Sequence, residues 1–213
     1  MRTALVAGSS GLVGKQVLTL LMENDRYTQI KAISRSPLTI THPKIVNLVL
    51  NFDRLSESYQ QLKADDVFCC LGTTIRKAGS AKAFRKVDYD YPVELAKLTR
   101  NQGAQTFLLI TALGADKHSR IFYNKVKGEV EEALKGAGFN ALHIFRPSLL
   151  LGARDESRAG EDAAKIFYKL FGWVIPEKYK AIEAAKVARA MIACAARNEA
   201  GTFIHESKEL QVF

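Results

Sequence analysis

Tyr123 and Lys127 stand four residues apart in Tyr-Asn-Lys-Val-Lys, so a helix running to about residue 135 carries both on one face. A tyrosine of ordinary pKa near ~10 is a poor acid-base group at neutral pH. An ammonium one turn away stabilises the phenolate and draws that pKa toward the working range. Thr111 ends the preceding apolar run, 107–111, where its hydroxyl can reach the same crevice and hold a carbonyl oxygen. Seven tyrosines in a lysine-rich chain make this spacing common by accident. Order gives it weight: a glycine turn comes first, then a hydroxyl at a strand end, then the pair on the next helix.

The glycine turn lies at the amino terminus. An apolar run, Ala4 to Ala7, stops at Gly8; glycines recur at Gly11 and Gly14, and an amphipathic run follows. Strand, glycine turn and helix are the context that a dinucleotide fingerprint requires, here spaced G-x-x-G-x-x-G. Glycine tolerates the tight turn, its missing side chain at Gly11 admits a pyrophosphate, and Gly14 lets the helix pack close. The helix start offers free amides and a positive dipole end. Gly8, Ser10, Gly11, Leu12, Val13 and Gly14 are therefore the candidate phosphate site.

Two further loops belong to the same crevice. The second strand, 29–34, ends in Ser34-Arg35-Ser36, where an acidic residue would bind the ribose of NAD. A guanidinium and two hydroxyls suit a 2′-phosphate instead, so NADP(H) is favoured over NAD(H). The fourth strand, 67–71, ends at Gly72-Thr73-Thr74, which makes Leu71, Gly72, Thr73 and Thr74 a second cofactor loop.

The elements that must position these residues alternate. Helices are expected near 12–24, 55–63, 80–100 and 123–135, with a third strand at 45–50. Asp53 either caps the helix near 55 or approaches an adenine amino group, capping being the safer reading. The helix at 80–100 buries Val87, Tyr91, Leu95 and Leu98. Strands alternating with helices, without repeats, give an α/β fold: a doubly wound, Rossmann-type parallel sheet. The chain reads as one domain, 1–213, to which about 148–213 contributes a small substrate lobe. There, 154–162 reads as a charged loop, Ile166, Phe167, Leu170, Phe171 and Trp173 as packing, and 182–197 and 202–205 as a last helix and strand.

Composition narrows the partners. Against 22 acidic residues stand 31 Lys and Arg, a net charge of +9 that suits anionic ligands. No block of five basic residues and no aromatic-interleaved basic stripe occurs, so no nucleic acid is expected. Three cysteines, Cys69 and Cys70 adjacent, make no disulfide framework, and none has metal-ligand spacing with His42, His118, His143 or His205. A reducing compartment fits. The glycines and Lys15 interrupt any signal-peptide core, and no run of 18 apolar residues spans a membrane. A soluble, cytoplasmic protein is expected.

The ordered motifs resemble the short-chain dehydrogenase/reductase superfamily, whose active site is a Ser or Thr, a Tyr and a Lys. Phe68-Cys69-Cys70-Leu71-Gly72-Thr73-Thr74, Tyr123-Asn124-Lys125-Val126-Lys127-Gly128-Glu129-Val130-Glu131 and Phe145-Arg146-Pro147-Ser148-Leu149-Leu150 resemble the HIV Tat-interacting-protein-like group of atypical reductases and its bacterial relatives. The resemblance implies an NADPH-binding core in which Tyr123 donates a proton and Lys127 tunes it and bonds the nicotinamide ribose. Thr111 falls where the superfamily usually has Ser, and Pro147 matches the turn that meets the nicotinamide amide. Leu71-Gly72-Thr73-Thr74 replaces the superfamily's Asn-rich motif. The activity implied is NADPH-dependent reduction of a small molecule bearing a carbonyl or hydroxyl. The rival is an NADPH-binding regulatory or protein-interaction module with little catalysis. Arg35 and the short C-terminal part disfavour a sugar-nucleotide epimerase.

Overall fold

Parallel strands covered on both faces read as unbroken apolar runs, because neither side meets water. The computed structural model describes residues 1–152, 176, 179–197 and 199–213. Its strands are β1 (Arg2–Ala7), β2 (Tyr27–Ser34), β3 (Ile45–Val49), β4 (Asp66–Cys69), β5 (Thr106–Ile110), β6 (Ala141–Arg146), β7 (Leu150–Leu151), β8 (Ile182–Glu183) and β9 (Gly201–Glu206). Seven make one parallel sheet in the order β3-β2-β1-β4-β5-β6-β9, while β7 and β8 pair separately. The order reverses between β1 and β4, so the crevice beyond their carboxyl ends is the topological switch point. This is the Rossmann-type sheet expected.

The helices are α1 (Leu12–Met22), α2 (Ile75–Ala78), α3 (Ala81–Arg85), α4 (Tyr91–Asn101), α5 (Phe122–Lys135), α6 (Ala184–Ala196) and α7 (Ser207–Leu210). On one face Val17 and Leu21 of α1 and Val187 and Met191 of α6 cluster with Val6, Leu108 and Phe145 of the sheet. On the other, Leu95 of α4 and Val130 and Leu134 of α5 meet Val67, Phe107 and Ile144. The described parts of 148–213 thus add a strand to the sheet's edge and a helix to one layer. The expected loop at 154–162 and the packing set Ile166, Phe167, Leu170, Phe171 and Trp173 lie outside the described residues.

The single helix expected at 80–100 is three pieces. Ser80 caps α3 through the Ala83 amide, a π turn follows at Lys86–Asp90, and α4 begins at Tyr91. A π turn closes on the fifth residue instead of the fourth and so shifts which residues face inward. Phe84 and Asp88 are buried where Val87 and Tyr91 were expected; Leu95 and Leu98, beyond the turn, are buried as expected. The cap at the fifties also differs. Asn51 accepts from the Asp53 amide at 2.9 Å and starts a kinked 3-10 segment, Phe52–Leu62. Asp53 therefore does not cap.

At the opposite end of the sheet from the crevice, buried Asp66 accepts from Arg2 Nε at 2.8 Å and Nη2 at 2.5 Å, and from the Tyr27 hydroxyl at 2.8 Å. Burial, then the Asp66 charge, drives the Tyr27 phenol well above its ordinary pKa. No helix among the described residues is long and apolar enough to cross a membrane.

Candidate functional site

β1 delivers the chain to the switch point, and the glycines there are forced by contact. Gly8 sits at φ +79°, and a Cβ on it would lie 2.5 Å from the carbonyl oxygen of Cys70 at the end of β4. A Cβ on Gly14 would lie 2.1 Å from the Gly8 carbonyl oxygen, and one on Gly11 3.1 Å from it. Gly11 is also the N-cap of α1 and brings no side chain to the helix amides. Ser10 is exposed beside it, Leu12 is half-buried and Val13 buried. Ser9, which the sequence did not single out, is buried and donates to the Ile33 carbonyl at 3.0 Å, tying the turn to β2.

Arg35 follows β2, exposed, and with Val49, Leu50, Asn51, Phe52, Asp53 and Tyr91 lines a cavity of about 410 Å³. Only part of the expected phosphate grip faces outward. The Ser34 hydroxyl is turned in, donating to the Ser36 carbonyl at 2.6 Å and accepting from Asn47 Nδ2 at 2.8 Å. Ser36 is exposed. In the cavity wall Asp53 Oδ1 lies 2.7 Å from Lys86 Nζ and accepts from the Tyr91 hydroxyl at 2.6 Å. The Lys86 ammonium, then that hydroxyl, holds the Asp53 carboxyl below the usual range.

The acid-base candidates ride on α5. Tyr123 is half-buried at its first turn, its ring 5.3 Å from that of Phe84. One turn on, Lys127 is buried with its Nζ 2.7 Å from Oδ1 of Asp88, whose side chain is fully buried. Asp88 Oδ2 accepts from the Thr73 amide at 3.0 Å. A Cβ on Gly72 would stand 3.5 Å from Asp88 Oδ1 and 3.6 Å from Lys127 Nζ, so the loop after β4 closes directly over the ion pair. The Lys127 ammonium, at 2.7 Å, is the partner of Asp88 Oδ1, so both carboxylate oxygens are engaged.

Burial lifts the Asp88 carboxyl above its usual pKa despite the ammonium beside it. For Lys127 burial pulls downward, but Asp88 and Tyr123 outweigh it and the ammonium is held above its usual value. Asp88, the partner of the candidate Lys127, was not singled out by the sequence. The π turn that aims it inward leaves no mark in the spacing.

Thr111 is buried, and its hydroxyl donates to Glu131 Oε1 at 2.6 Å and lies 3.3 Å from the Phe145 carbonyl. Arg146 grips Glu131 at 3.0 and 2.5 Å and Glu206 at 2.9 Å. The hydroxyl expected to hold a carbonyl oxygen is thus engaged with Glu131. Pro147 is buried and its carbonyl accepts from the Leu113 amide at 2.9 Å. Thr74 caps α2 by accepting from the Lys77 amide at 3.1 Å. The glycine cradle and the uncapped start of α1 fit a dinucleotide across the switch point.

No protein-family model matches the chain. It is 37% identical to Protein HTATIP2 of Rattus norvegicus over 198 residues, 90% of this chain and 80% of that protein. It is 35% identical to Protein fmp52, mitochondrial, of Emericella nidulans over 181 residues, 82% of this chain and 78% of that one. Among solved structures it is similar to MoeE5 in complex with UDP-glucose and NAD, at a TM-score of 0.73 and 14% identity, covering 95% of this chain and 74% of that one. The last likeness is one of fold.

Proposed function

Because the chain belongs to the family of the HTATIP2 and FMP52 proteins, we propose that it is an NADPH-dependent oxidoreductase of the carbonyl-reductase type. The observation that carries this reading is the buried Lys127–Asp88 pair beneath Gly72, with Tyr123 one turn away on α5. A nicotinamide cofactor is favoured further by the fold shared with MoeE5, whose structure holds NAD. When bound, the reduced nicotinamide supplies a hydride.

Gly8, Ser10, Gly11, Leu12, Val13 and Gly14 would hold the diphosphate at the start of α1, and Arg35 the 2′-phosphate. Leu71, Gly72, Thr73, Thr74 and Pro147 would flank the nicotinamide end. The Tyr123 hydroxyl would give its proton to the substrate oxygen as that oxygen gains charge. Lys127 would stabilise the phenolate left behind and donate to a ribose hydroxyl, while Asp88 holds the ammonium in place. Thr111 acts through Glu131 as a positioning residue. We take 1–213 as one domain, with about 148–213 forming the substrate side. We keep the cytoplasm as the compartment, although the fungal relative's name says mitochondrial.

One observation favours a second reading, an NADPH-binding regulatory module with little catalysis: the Thr111 hydroxyl is already engaged with Glu131. Titration calorimetry with NADPH and NADH, on the wild type and Arg35→Ala, separates the possibilities when combined with a carbonyl-substrate screen. NADPH is expected to bind more tightly than NADH, and Arg35→Ala to lose about 10- to 100-fold for NADPH alone, the worth of a charge-assisted grip. Tyr123→Phe should abolish turnover and leave NADPH affinity nearly intact. Unchanged turnover in that variant removes Tyr123 from the chemistry; tight NADPH binding without turnover on any carbonyl supports the regulatory module.

A further inference from the structure

The sheet face opposite α5 carries a second chemical cluster, under α6. The register of β6 with β9, His143 beside Phe203 and Phe145 beside His205, puts both histidines on one face. Cys194 reaches them from the last turn of α6. His143 Nδ1 lies 3.1 Å from His205 Nε2, Cys194 Sγ lies 3.6 Å from the same Nε2, and all three atoms fall within 4.8 Å of one another. We propose that His143, Cys194 and His205 form a Zn²⁺ site, with three protein ligands and one position left for water.

The separations suit the ion. A tetrahedral centre with bonds of about 2.0 Å to nitrogen and about 2.3 Å to sulfur sets N and N about 3.3 Å apart and N and S about 3.5 Å apart. Two imidazoles and a thiolate are the borderline-soft donor set that zinc takes. His205 Nε2 faces both the other ring, at 3.1 Å, and the thiol, at 3.6 Å, so one nitrogen serves two neighbours. A shared cation satisfies three lone pairs at once.

The surroundings prepare the ligands. Glu209 Oε2 stands 4.0 Å from His205 Nδ1, on the far side of the ring from the cluster. A carboxylate there favours the proton on Nδ1 and leaves the Nε2 lone pair for a metal. Stacking fixes the ring planes: His143 on Phe203 at 4.9 Å and His205 on Phe145 at 4.7 Å. The bound ion would tie β6, β9 and α6 together. On binding, the Cys194 sulfur–metal bond forms as the thiol proton leaves to solvent. Sequence spacing concealed the set, since 62 residues separate the histidines.

The test uses the full chain, stripped with a chelator, dialysed and titrated with Co²⁺, then with Zn²⁺. One cobalt per chain is expected, with thiolate-to-cobalt charge-transfer absorption and tetrahedral d–d bands that Zn²⁺ bleaches. Cys194→Ser should lose the charge-transfer band. His205→Gln, at a partly exposed position, should lose stoichiometric uptake. Glu209→Gln, on the surface, should weaken binding by about 10-fold. Absence of the cobalt spectrum in the wild type overturns the proposal. So does a charge-transfer band that survives Cys194→Ser, or uptake unchanged in His205→Gln.

Discussion

Lys127→Met tests whether the buried ion pair is built for a purpose other than stability. Nζ and Oδ1 are 2.7 Å apart, with side-chain exposures of 5% and 0%. At that distance and an effective dielectric near 20, the gross attraction is on the order of 6 kcal/mol, most of it offset by taking both charges out of water. Among the described residues, removing the lysine leaves Asp88 with the Thr73 amide alone, at 3.0 Å, and an uncompensated buried charge. A loss of about 3–5 kcal/mol is expected, and Asp88→Asn, which strands the ammonium, should cost a similar amount. The double variant removes both charges from nearly the same volume and should lose no more than about 3 kcal/mol, far below the sum. Urea denaturation followed by circular dichroism measures all four proteins, and NADPH titration should find the double variant stable but impaired in binding. Losses that add to within about 0.5 kcal/mol would refute the reasoning, because they would make the two side chains independent.

Two further outcomes follow from the geometry. Gly14→Ala drives a Cβ to 2.1 Å from the Gly8 carbonyl, so a loss of about 1–3 kcal/mol in urea and a collapse of NADPH affinity are expected; wild-type binding in that variant would break the link between the turn's packing and the ligand. The buried Tyr27 phenol, held above its ordinary pKa, stays protonated in the native chain where the unfolded chain ionises. The native state then binds more protons, so its contribution is whole below pH about 10 and falls as pH rises further, by about 1.4 kcal/mol per unit. Urea midpoints from pH 8 to 11 should fall less steeply for Tyr27→Phe than for the wild type; equal slopes would exclude Tyr27 as the cause.

The sheet was legible because β1, β4, β5 and β6 are apolar on both faces, and the glycine turn because β1 must end beside β4. Tyr123 and Lys127 were legible because helical spacing is local. What escaped depends on tertiary contact. Asp88 reads as a surface charge in a regular helix, and only the π turn at Lys86–Asp90 turns it toward Lys127. The Ser34 hydroxyl reads as a ligand donor until Asn47, on the neighbouring strand, engages it. Asp53 and Asn51 are both good capping residues, and the backbone chose the earlier. Thr111 lies at the expected strand end, but its partner, Glu131, sits on α5, the next helix.

Tyr123, Lys127 and Glu131 follow one another at one-turn intervals along α5, and the second and third are pinned, to Asp88 and to Arg146. A rod held at two points along one side can neither spin nor slide. A slip of one residue would swing both pinned groups by about 100° and carry them about 1.5 Å along the axis, tearing both anchors together. The phenol one turn before them is therefore aimed by contacts made further along the helix as well as by its own ring contact with Phe84. The segment between β5 and α5 lays its backbone at Asp116 and Lys117 against Gly128 of the rod, so its side chains can change without disturbing the two anchors.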